Sequence, residues 1–424
     1  MRYIYTLLWH LILPLLFLRL WWRGRKNHGY RQHIGERFGC YDFPPLRQSI
    51  WIHAVSVGEM LAAVPLIKAL VKRYPQYSIV VTTMTPTGRD CAKAALGDSI
   101  VLLYLPYEYP LVIKRFIKQT NPRLAVFMET ELWPNLLDHI NRRNIPIILG
   151  NARLSLKSFQ GYKKLLFLIK PALSYFTMIL AQSNADRERF LALGVKQNRV
   201  IVSGNIKFDL EIPTDLINQT VKLRSLLGDN RPIWIAASTH NGEEIKLLST
   251  ARAVLEQVPT MLLILVPRHP ERFDEVLALC QRERFNVTLY SKLEQYSATT
   301  EILLGNIMGK LLLFYGASDL AFVGGSLIPW GGHNLLEPAA LAKPVLSGNH
   351  LHAFAEISHI MIDRDALVIV NDESSLTEKL ITLFRDRAQR EQLGAAALDI
   401  VERHRGSTEK ILEVIKNLVG IDAN

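Results

Sequence analysis

The sequence predicts an α/β protein with two Rossmann-like domains that face each other across a cleft, and three observations support this fold class. Apolar runs of strand length alternate with stretches of helical period, which is the pattern of βαβ units and a parallel sheet. The alternation occurs in two successive sets along the chain. With 424 residues, the chain exceeds the size at which one hydrophobic core usually stops growing.

The composition is that of a folded protein with an anionic partner. Hydrophobic residues make up 49% of the chain and charged residues 21%, which excludes a disordered protein. The formal net charge of +11 leaves nucleic acid, a phosphorylated substrate and an acidic membrane surface open as partners. Cys40, Cys91 and Cys280 are far apart and in no CxxC spacing. A disulfide framework or structural zinc site is therefore not expected, and a reducing cytoplasm fits.

Residues 1–28 predict a membrane anchor with a basic flank. The stretch YIYTLLWHLILPLLFLRLWW, residues 3–22, has about the length that crosses a bilayer, and arginines and a lysine follow it. By the positive-inside rule, this order keeps the rest of the chain in the cytoplasm. A cleaved signal peptide is the alternative, but most of the charge follows the apolar run and no A-x-A site is found. Because Pro14 and Arg19 interrupt the run, a spanning helix and an interfacial one both remain open.

The first set of strands lies in residues 29–205. Its strand candidates are IWIHAV, SIVVTTM, VLLYLP, RLAVFME, IPIILGN and MILAQS, and helical candidates such as EMLAAVPLIKALVKRY separate them. Polar residues follow several strands, as a cleft requires: Glu59, Glu129, Glu131, Asn151 and Arg153. A carboxylate at such a place can act as a general base. Capping of the next helix is the alternative role for Glu131.

The second set lies in residues 206–424. The irregular stretch GNIKFDLEIPTDL, about residues 204–216, is the expected boundary, because it follows a complete first set and contains a proline. The strand candidates are PIWIAAS, MLLILVPR, EILLGN, LAFVGGS, KPVLSG and ALVIVN, separated by helical candidates such as EEIKLLSTARAVLEQ.

A nucleotide pocket is predicted in the second set. In LAFVGGSLIPWGGHNLLEPAA, Gly324 and Gly325 allow the backbone to approach a ligand closely. A helix is expected to begin near residues 332–334, with N–H groups that can hold a phosphate. Four residues after His333, Glu337 could accept hydrogen bonds from ribose hydroxyls.

A cationic pair supports this pocket, and two other interpretations remain open. Arg268 and His269, in LVPRHPERF, end a neighbouring strand and could neutralise a phosphate. The glycines could instead form only a tight connection, with Glu337 a solvated helix residue. His333 with Glu337, or His269, could also be metal ligands, but no third ligand has suitable spacing, so no metal is expected. DRD at residues 363–365 is interpreted as solvated charge.

Together these strings resemble the Kdo transferases, the family 30 glycosyltransferases that move 3-deoxy-manno-octulosonic acid (Kdo) from CMP-Kdo onto lipid A precursor. The resemblance covers essentially the whole chain, through HAVSVGEM, TTMTPTG, METELWPN, NARLS, GNIKFD, ASTHNGEE, LVPRHPERF, MGKLLLFYGASDLAFVGGS and GGHNLLEPAA. It implies a GT-B-type fold, with an acceptor-binding domain in residues 29–205. A CMP-sugar-binding domain with C-terminal helices would then occupy residues 206–424.

The resemblance also implies roles for individual residues. Glu59 would be the catalytic base, and Glu129 and Lys207 would stabilise the transition state. The residues implied to hold CMP are Pro267, Arg268, Met308, Gly309, Lys310, Gly325, Ser326, Asn334, Leu335, Leu336 and Glu337. The chain departs from the family pattern at Asn306 and Lys310, where Asp and Glu are more usual, and at Leu335, where Pro is usual.

The expected reaction is an inverting transfer of Kdo from CMP-Kdo to a glucosamine hydroxyl of lipid A precursor (lipid IVA), in lipopolysaccharide core biosynthesis. No cofactor is implied, and the single phosphate of the leaving group does not require a chelating metal. The expected partners are these two substrates and the anionic bacterial inner membrane, at its cytoplasmic face, and not nucleic acid. A sugar-nucleotide epimerase of the same architecture and a non-catalytic membrane-bound adaptor are the alternatives.

Overall fold

A computed structural model describes residues 2–26 and 28–420, and the chain forms two compact units. The first unit contains the residues up to Asp209 and those from His404 onward, and the second contains Leu210–Arg403. Each unit is built on one seven-stranded sheet in which all neighbouring strands run parallel. This confirms the predicted class of two parallel-sheet α/β units.

The first unit alternates strands and helices along the chain. Its strands are β1 (Ser49–His53), β2 (Ser78–Thr83), β3 (Val101–Tyr104), β4 (Pro122–Met128), β5 (Ile147–Ala152), β6 (Met178–Ala181) and β7 (Val200–Val202). Its helices up to β7 are α1 (Arg2–Lys26), α2 (Ile34–Arg37), α3 (Val57–Arg73), α4 (Pro86–Leu96), α5 (Pro110–Thr120), α6 (Pro134–Asn141), α7 (Leu156–Lys164), α8 (Leu166–Ser174) and α9 (Asn184–Ala192). The strand order is β3-β2-β1-β4-β5-β6-β7.

Both faces of the first sheet are buried. Trp51 of β1 points to one face, where its ring centroid lies 4.8 Å from that of Phe116 and 5.2 Å from that of Phe127. Ile50 and Ile52 point to the other face and pack in a core cluster with Met60 of α3. Strands buried on both faces read as nearly continuous apolar runs, which is why the sequence pattern predicts them.

The second unit repeats this arrangement. Its strands are β8 (Ile233–Thr239), β9 (Leu262–Pro267), β10 (Val287–Leu289), β11 (Ile302–Leu304), β12 (Leu320–Val323), β13 (Val345–Ser347) and β14 (Leu367–Ile369), in the order β10-β11-β9-β8-β12-β13-β14. Its helices are α10 (Leu216–Leu227), α11 (Glu244–Gln257), α12 (Phe273–Arg282), α13 (Leu311–Ala317), α14 (Leu336–Ala339), α15 (Ala355–Ile362), α16 (Glu373–Arg385) and α17 (Arg387–His404).

The last helix, α18 (Ser407–Val419), belongs to the first unit. Ile411, Leu412 and Ile415 are buried in the same core cluster as Ile50 and Ile52 of β1. The family resemblance implied that all the C-terminal helices belong to the second domain. Burial of this apolar face corrects that assignment for α18.

The N-terminal segment forms one helix, and its two sides have different surroundings. Leu16 and Leu20 are buried against Tyr107. Large apolar residues on the other side are exposed: Leu15 at 60%, Leu18 at 62% and Trp22 at 66%. Among residues 2–26 and 28–420, no helix combines the length and apolar composition needed to span a bilayer. The spanning form of the predicted anchor is therefore not found.

Candidate active site

The first unit brings the predicted carboxylates after β1 and β4 into one pocket. The pocket has a volume of about 280 Å³ and is lined by Glu59, Glu129, Thr130, Glu131, Arg153, Ser155 and Ser158. These residues follow the carboxyl ends of β1, β4 and β5, which is where parallel sheets bind ligands. Asn151, which the sequence also picked out, is completely buried and does not line this pocket.

Glu59 lies in the first turn of α3, and its carboxylate binds two groups that immediately precede this helix. Its carboxylate accepts hydrogen bonds from the Val55 amide (2.8 Å) and from Ser56 Oγ (3.0 Å), and Ser56 Oγ accepts from the Glu59 amide (3.4 Å). Burial raises the pKa of Glu59, the hydrogen bond from Val55 lowers it, and the charge of Glu129 raises it. The net effect is a raised pKa, which suits a general base near neutral pH.

Glu129 and Lys207 lie beside this base. Glu129 follows β4 with a φ of 58°, in the left-handed region that non-glycine residues seldom adopt. Strained residues of this kind are concentrated at functional sites. Its Oε1 lies 4.0 Å from Lys207 Nζ, and the charge of Lys207 lowers the pKa of Glu59. The three residues that the resemblance assigned to catalysis are thus neighbours in the structure.

Glu131 is held in the pocket by a side chain and does not cap the following helix. The N-cap of α6 is Trp133, which makes no side-chain capping bond. The indole Nε1 of Trp133 instead donates to Glu131 Oε2 (2.8 Å). Burial, and then the charge of Glu59, raises the pKa of Glu131 to about 7. The capping role considered from the sequence is therefore wrong, and the pocket holds three carboxyl groups.

The second unit brings three predicted nucleotide-binding residues together. Arg268 follows β9, and its amide donates to the carbonyl of Thr239 at the end of β8 (3.0 Å). Asn334 Nδ2 donates to Glu337 Oε1 (3.1 Å). Burial raises the pKa of Glu337, while the hydrogen bond from Asn334 and the charge of Arg268 lower it. This set contains a cation for a phosphate and polar groups for a ribose.

The glycine-rich loop after β12 is organised by an internal carboxylate. Glu243 is fully buried and accepts hydrogen bonds from the amides of Gly325 (2.7 Å), Ser326 (3.0 Å) and Leu327 (3.0 Å). These loop amides therefore bind Glu243. The next helix, α14, begins at Leu336 and not near residues 332–334, so the predicted helix N-terminus for a phosphate is displaced.

Two histidines that the sequence did not connect lie over this loop. Nε2 of His240 lies 2.7 Å from Nε2 of His333, and the two rings are nearly coplanar, at 6°. Trp330 stacks on His240 with a centroid distance of 4.5 Å. A Cβ atom at Gly325, whose φ is 68°, would lie 3.0 Å from the His333 ring. Glycine is thus required there both by its conformation and by the imidazole above it.

The remaining residues implied to hold CMP differ in accessibility. Leu335 and Leu336 are completely buried, so their side chains serve the core. Met308 is 56% exposed and Gly309 has a φ of 77°, in the turn before α13, where Lys310 is the N-cap residue. Over residues 2–26 and 28–420, no three His, Cys, Asp or Glu side chains come together in a way that could hold a metal ion.

Comparison with known proteins identifies the family. A family model described as 3-deoxy-D-manno-octulosonic-acid transferase (kdotransferase) matches residues 32–210. A 3-deoxy-D-manno-octulosonic acid transferase of Haemophilus influenzae is 42% identical over 419 residues, which cover 98% of each chain. The chain belongs to the 3-deoxy-D-manno-octulosonic acid transferase family. A second member, from Bordetella pertussis, is 31% identical and covers 99% of this chain and 100% of its own.

Membership of this family makes the protein a glycosyltransferase and excludes the non-catalytic adaptor. The solved UDP-GlcNAc 2-epimerase of Neisseria meningitidis, bound to UDP-GlcNAc, matches with a TM-score of 0.59 over 87% of this chain and 100% of its own. A glycosyltransferase from Rickettsia africae matches with a TM-score of 0.56 over 90% and 100%. Sequence identities of 14% and 16% mean that these likenesses show the fold alone.

Proposed function

We propose that this transferase moves Kdo from CMP-Kdo to a glucosamine hydroxyl of lipid A precursor (lipid IVA), with inversion and without a metal ion, in lipopolysaccharide core biosynthesis. The observation that carries the proposal is the pocket after β1 and β4. It holds a half-buried carboxylate with a raised pKa, Glu59, with Glu129 and Lys207 beside it.

Glu59 is the base for the acceptor. A sugar hydroxyl is a weak nucleophile, and a carboxylate can take its proton as the new bond to Kdo forms. Two hydrogen bonds, from Val55 and Ser56, fix the carboxylate, so little reorganisation is needed before proton transfer. A single displacement assisted by such a base inverts the configuration at the sugar carbon that is attacked.

Glu129 and Lys207 stabilise the charges that develop during transfer. The donor carbon becomes positively charged as its bond to phosphate breaks, and the carboxylate of Glu129 favours that charge. Lys207 Nζ lies 4.0 Å from Glu129 Oε1, and its charge lowers the pKa of Glu59, so it offsets part of the repulsion between the two carboxylates. The separated charges of the transition state are matched by groups that are already in place.

CMP-Kdo is held by the second unit. Arg268 neutralises the phosphate, which gains charge as it departs, and Glu337 accepts from the ribose hydroxyls with Asn334 at its side. The turn of Met308, Gly309 and Lys310 lies against the nucleotide. Because the leaving group contains one phosphate, a cation that bridges two phosphates is not required.

Two surfaces of the first unit, each both apolar and basic, bind the anionic membrane that contains the lipid acceptor. One is the exposed side of α1, defined above, which continues into Arg23 and Arg25. The other is formed by α7 and α8, where Leu156 and Phe167 are 58% and 55% exposed beside several lysines. Helix α7 also supplies Ser158 to the pocket. Such surfaces bind anionic lipid interfaces, which supports a location at the cytoplasmic face of the inner membrane.

Transfer of labelled Kdo tests this function. The protein is incubated with lipid A precursor in detergent and with CMP-Kdo that carries a label in the sugar. The lipid fraction is then extracted, and the mass of the lipid is measured by mass spectrometry. We expect the lipid to gain the mass of one or more Kdo residues, and exhaustive reaction gives their number. A labelled sugar nucleotide that is isomerised while the lipid gains no mass would favour the epimerase and contradict the proposal.

A further inference from the structure

Three buried amide side chains lie behind the pocket at the ends of successive strands. Asn151 is the second-last residue of β5, Gln182 follows β6 and Asn205 follows β7, with exposed fractions of 0%, 6% and 8%. Buried amides are rare away from functional sites because each polar atom must find a partner. Asn151 also has a φ of 52°, a left-handed conformation that asparagine tolerates better than most residues.

The side chains of Gln182 and Asn205 and the backbone carbonyl of Asn151 form a chain of hydrogen bonds. Gln182 Nε2 donates to the backbone carbonyl oxygen of Asn151 (3.0 Å). Asn205 Nδ2 donates to Gln182 Oε1 (3.1 Å). One residue of each neighbouring strand end is thus tied to the next, and β5, β6 and β7 are held in register at the edge of the sheet that carries the pocket.

The chain of bonds ends on the turn that carries Lys207. The amide of Ile206 donates to Asn151 Oδ1 (3.0 Å), and the amide of Lys207 donates to Asn205 Oδ1 (3.1 Å). Two consecutive backbone N–H groups of the single-turn helix Ile206–Phe208 are therefore fixed by side chains of this network. The backbone of Lys207 cannot shift without breaking at least one of these bonds.

The other end of the same turn is held by the C-terminal part of the first unit. Phe208 stacks on His404 with a centroid distance of 4.8 Å, and Asp209 accepts hydrogen bonds from the amides of Gly406 and Thr408 at the start of α18. These contacts fix the chain after Lys207. The amide network supplies the bonds to Ile206 and Lys207 themselves.

We propose that Asn151, Gln182 and Asn205 are positioning residues that hold Lys207 beside Glu129. This inference rests on the role of Lys207 in the proposed function. Neutral amides bind the amides of Ile206 and Lys207 without adding a charge near a carboxylate and ammonium pair whose separation is 4.0 Å. A lysine side chain is long and flexible, so a fixed backbone is the means by which a distant network limits the positions of its Nζ.

A double-mutant cycle tests the proposal. Asn205→Ala removes the acceptor of the Lys207 amide and should lower kcat roughly 5- to 30-fold, the equivalent of one or two lost hydrogen bonds. In the Lys207→Met background, the same substitution should change kcat less than about twofold, since there is no ammonium group left to position. The dissociation constant of CMP should stay unchanged in all these variants.

Two further variants make the test specific. Ser203→Ala is the matched control, because Ser203 is buried beside Asn205 and donates to the carbonyls of Ala181 and Gly204, outside the network. It should leave kcat within about twofold. Gln182→Met keeps a similar side-chain volume and removes the hydrogen bonds to Asn151 and Asn205. It takes the place of Asn205→Ala in the cycle if the Asn205→Ala variant does not fold, and the same changes in kcat are expected.

The outcomes separate this inference from the proposed function. Suppose that Lys207→Met lowers kcat, and that Asn205→Ala or Gln182→Met lowers kcat by the same factor in the wild type and in the Lys207→Met background. The network then does not act through Lys207, and the inference is overturned. If Lys207→Met turns over normally, the catalytic role of Lys207 fails and the inference fails with it, while the measured transfer of Kdo still stands. A non-additive cycle with a silent Ser203→Ala supports it.

Discussion

At the scale of single residues, three carboxyl groups of one pocket have different surroundings. Glu59 is held by the Val55 amide and Ser56, Glu129 lies near the ammonium group of Lys207, and Glu131 accepts a hydrogen bond from the indole of Trp133. Burial, and then the charge of Glu59, raises the pKa of Glu131 to about 7, so a substantial fraction of this carboxyl group stays protonated near neutral pH. One protonated carboxyl group reduces the repulsion that three charges would create.

The raised pKa of Glu131 predicts how stability depends on pH. Because the folded-state pKa is about 7 and the ordinary value is 4.5, its contribution to stability is fully present below about pH 4.5 and is lost as the pH rises through 7. Glu131→Gln removes this loss. We expect the melting temperature of the variant, relative to the wild type, to be higher at pH 8 than at pH 4.5. An equal difference at both pH values would contradict the raised pKa.

Glu337 is predicted to bind ribose. Glu337→Ala should weaken CMP binding by the cost of a charge-assisted hydrogen bond, about 1.5–3 kcal/mol, measured by calorimetry on a folded variant. Glu271→Ala is the control, because Glu271 is a 74% exposed carboxylate close in sequence to Arg268 and it pairs only loosely with His269, at 3.8 Å. An unchanged affinity in Glu337→Ala would return Glu337 to a structural role.

The sequence predicted which residues follow strands better than it predicted which side chains they contact. Glu59, Glu129 and Arg153 follow apolar strands, and strand ends can be read from a pattern of period two or from an apolar run. The indole bond of Glu131 and the amide network of Asn151 depend on side chains that meet only after folding. No spacing in the sequence encodes contacts between residues 31 or 55 positions apart.

At the scale of elements, the two strands that the sequence did not predict are both at sheet edges. β7 and β10 have three residues each and end their sheets, so they need less apolar surface than central strands. The helix expected near residues 332–334 was also misplaced. Gly331 and Gly332 have φ values of 110° and 77°, which no helix permits, and α14 begins only at Leu336.

The glycine-rich loop after β12 has a hydrogen-bond partner that its sequence motif does not indicate. Gly325 in this loop has a φ of 68°, a conformation that glycine adopts without strain. The sequence predicted that Gly324 and Gly325 let the backbone approach a ligand, but it did not predict that Glu243 of ASTHNGEE accepts hydrogen bonds from three amides of this loop. A buried glutamate some 80 residues earlier in the chain could not be connected to this loop by spacing alone.

The exposed side of α1 is predicted to deliver the enzyme to its acceptor. Removing the whole helix would uncover Tyr107, so the better variant replaces Leu15, Leu18 and Trp22 with glutamine. Activity on acceptor embedded in anionic vesicles should fall several-fold, while activity in detergent stays within about twofold, since an effective-concentration advantage is lost.

The matched control for that variant replaces two exposed apolar residues of the second unit. Ile217 and Val221 of α10 are 70% and 60% exposed, so their change to glutamine alters surface polarity to a similar degree. The ratio of vesicle to detergent activity should not change in this control. If the ratio is the same for wild type, α1 variant and control, α1 does not bring the enzyme to the membrane.

At the scale of the whole molecule, the alternation of apolar runs predicted two parallel sheets, and both are present. What the sequence could not give is the assignment of α18, because chain order suggests that a C-terminal helix stays with the preceding strands. Its apolar face, with Ile411 and Ile415, instead completes the core of the first unit. Tertiary packing of a face decides where such a helix belongs.

The reaction is predicted to proceed without a divalent ion. Kdo transfer measured in excess EDTA should stay within about twofold of its value without chelator, because Lys207 and Arg268 supply the positive charge that a metal would otherwise provide. Addition of magnesium or manganese should have little effect. Loss of activity in EDTA that one divalent ion restores would contradict the metal-independent mechanism.

The role of Glu59 as base is tested most directly by Kdo transfer in Glu59→Gln. A control is Asp186→Asn, because Asp186 also accepts hydrogen bonds from a serine hydroxyl, Ser183 Oγ, and a backbone amide, that of Leu154, and does not line the pocket. It differs from Glu59 in pairing with Arg189, at 3.3 Å. We expect Glu59→Gln to lower kcat about 10²- to 10⁴-fold with CMP affinity unchanged, and Asp186→Asn to keep kcat within a few-fold. Near-normal turnover in folded Glu59→Gln would remove Glu59 from the mechanism.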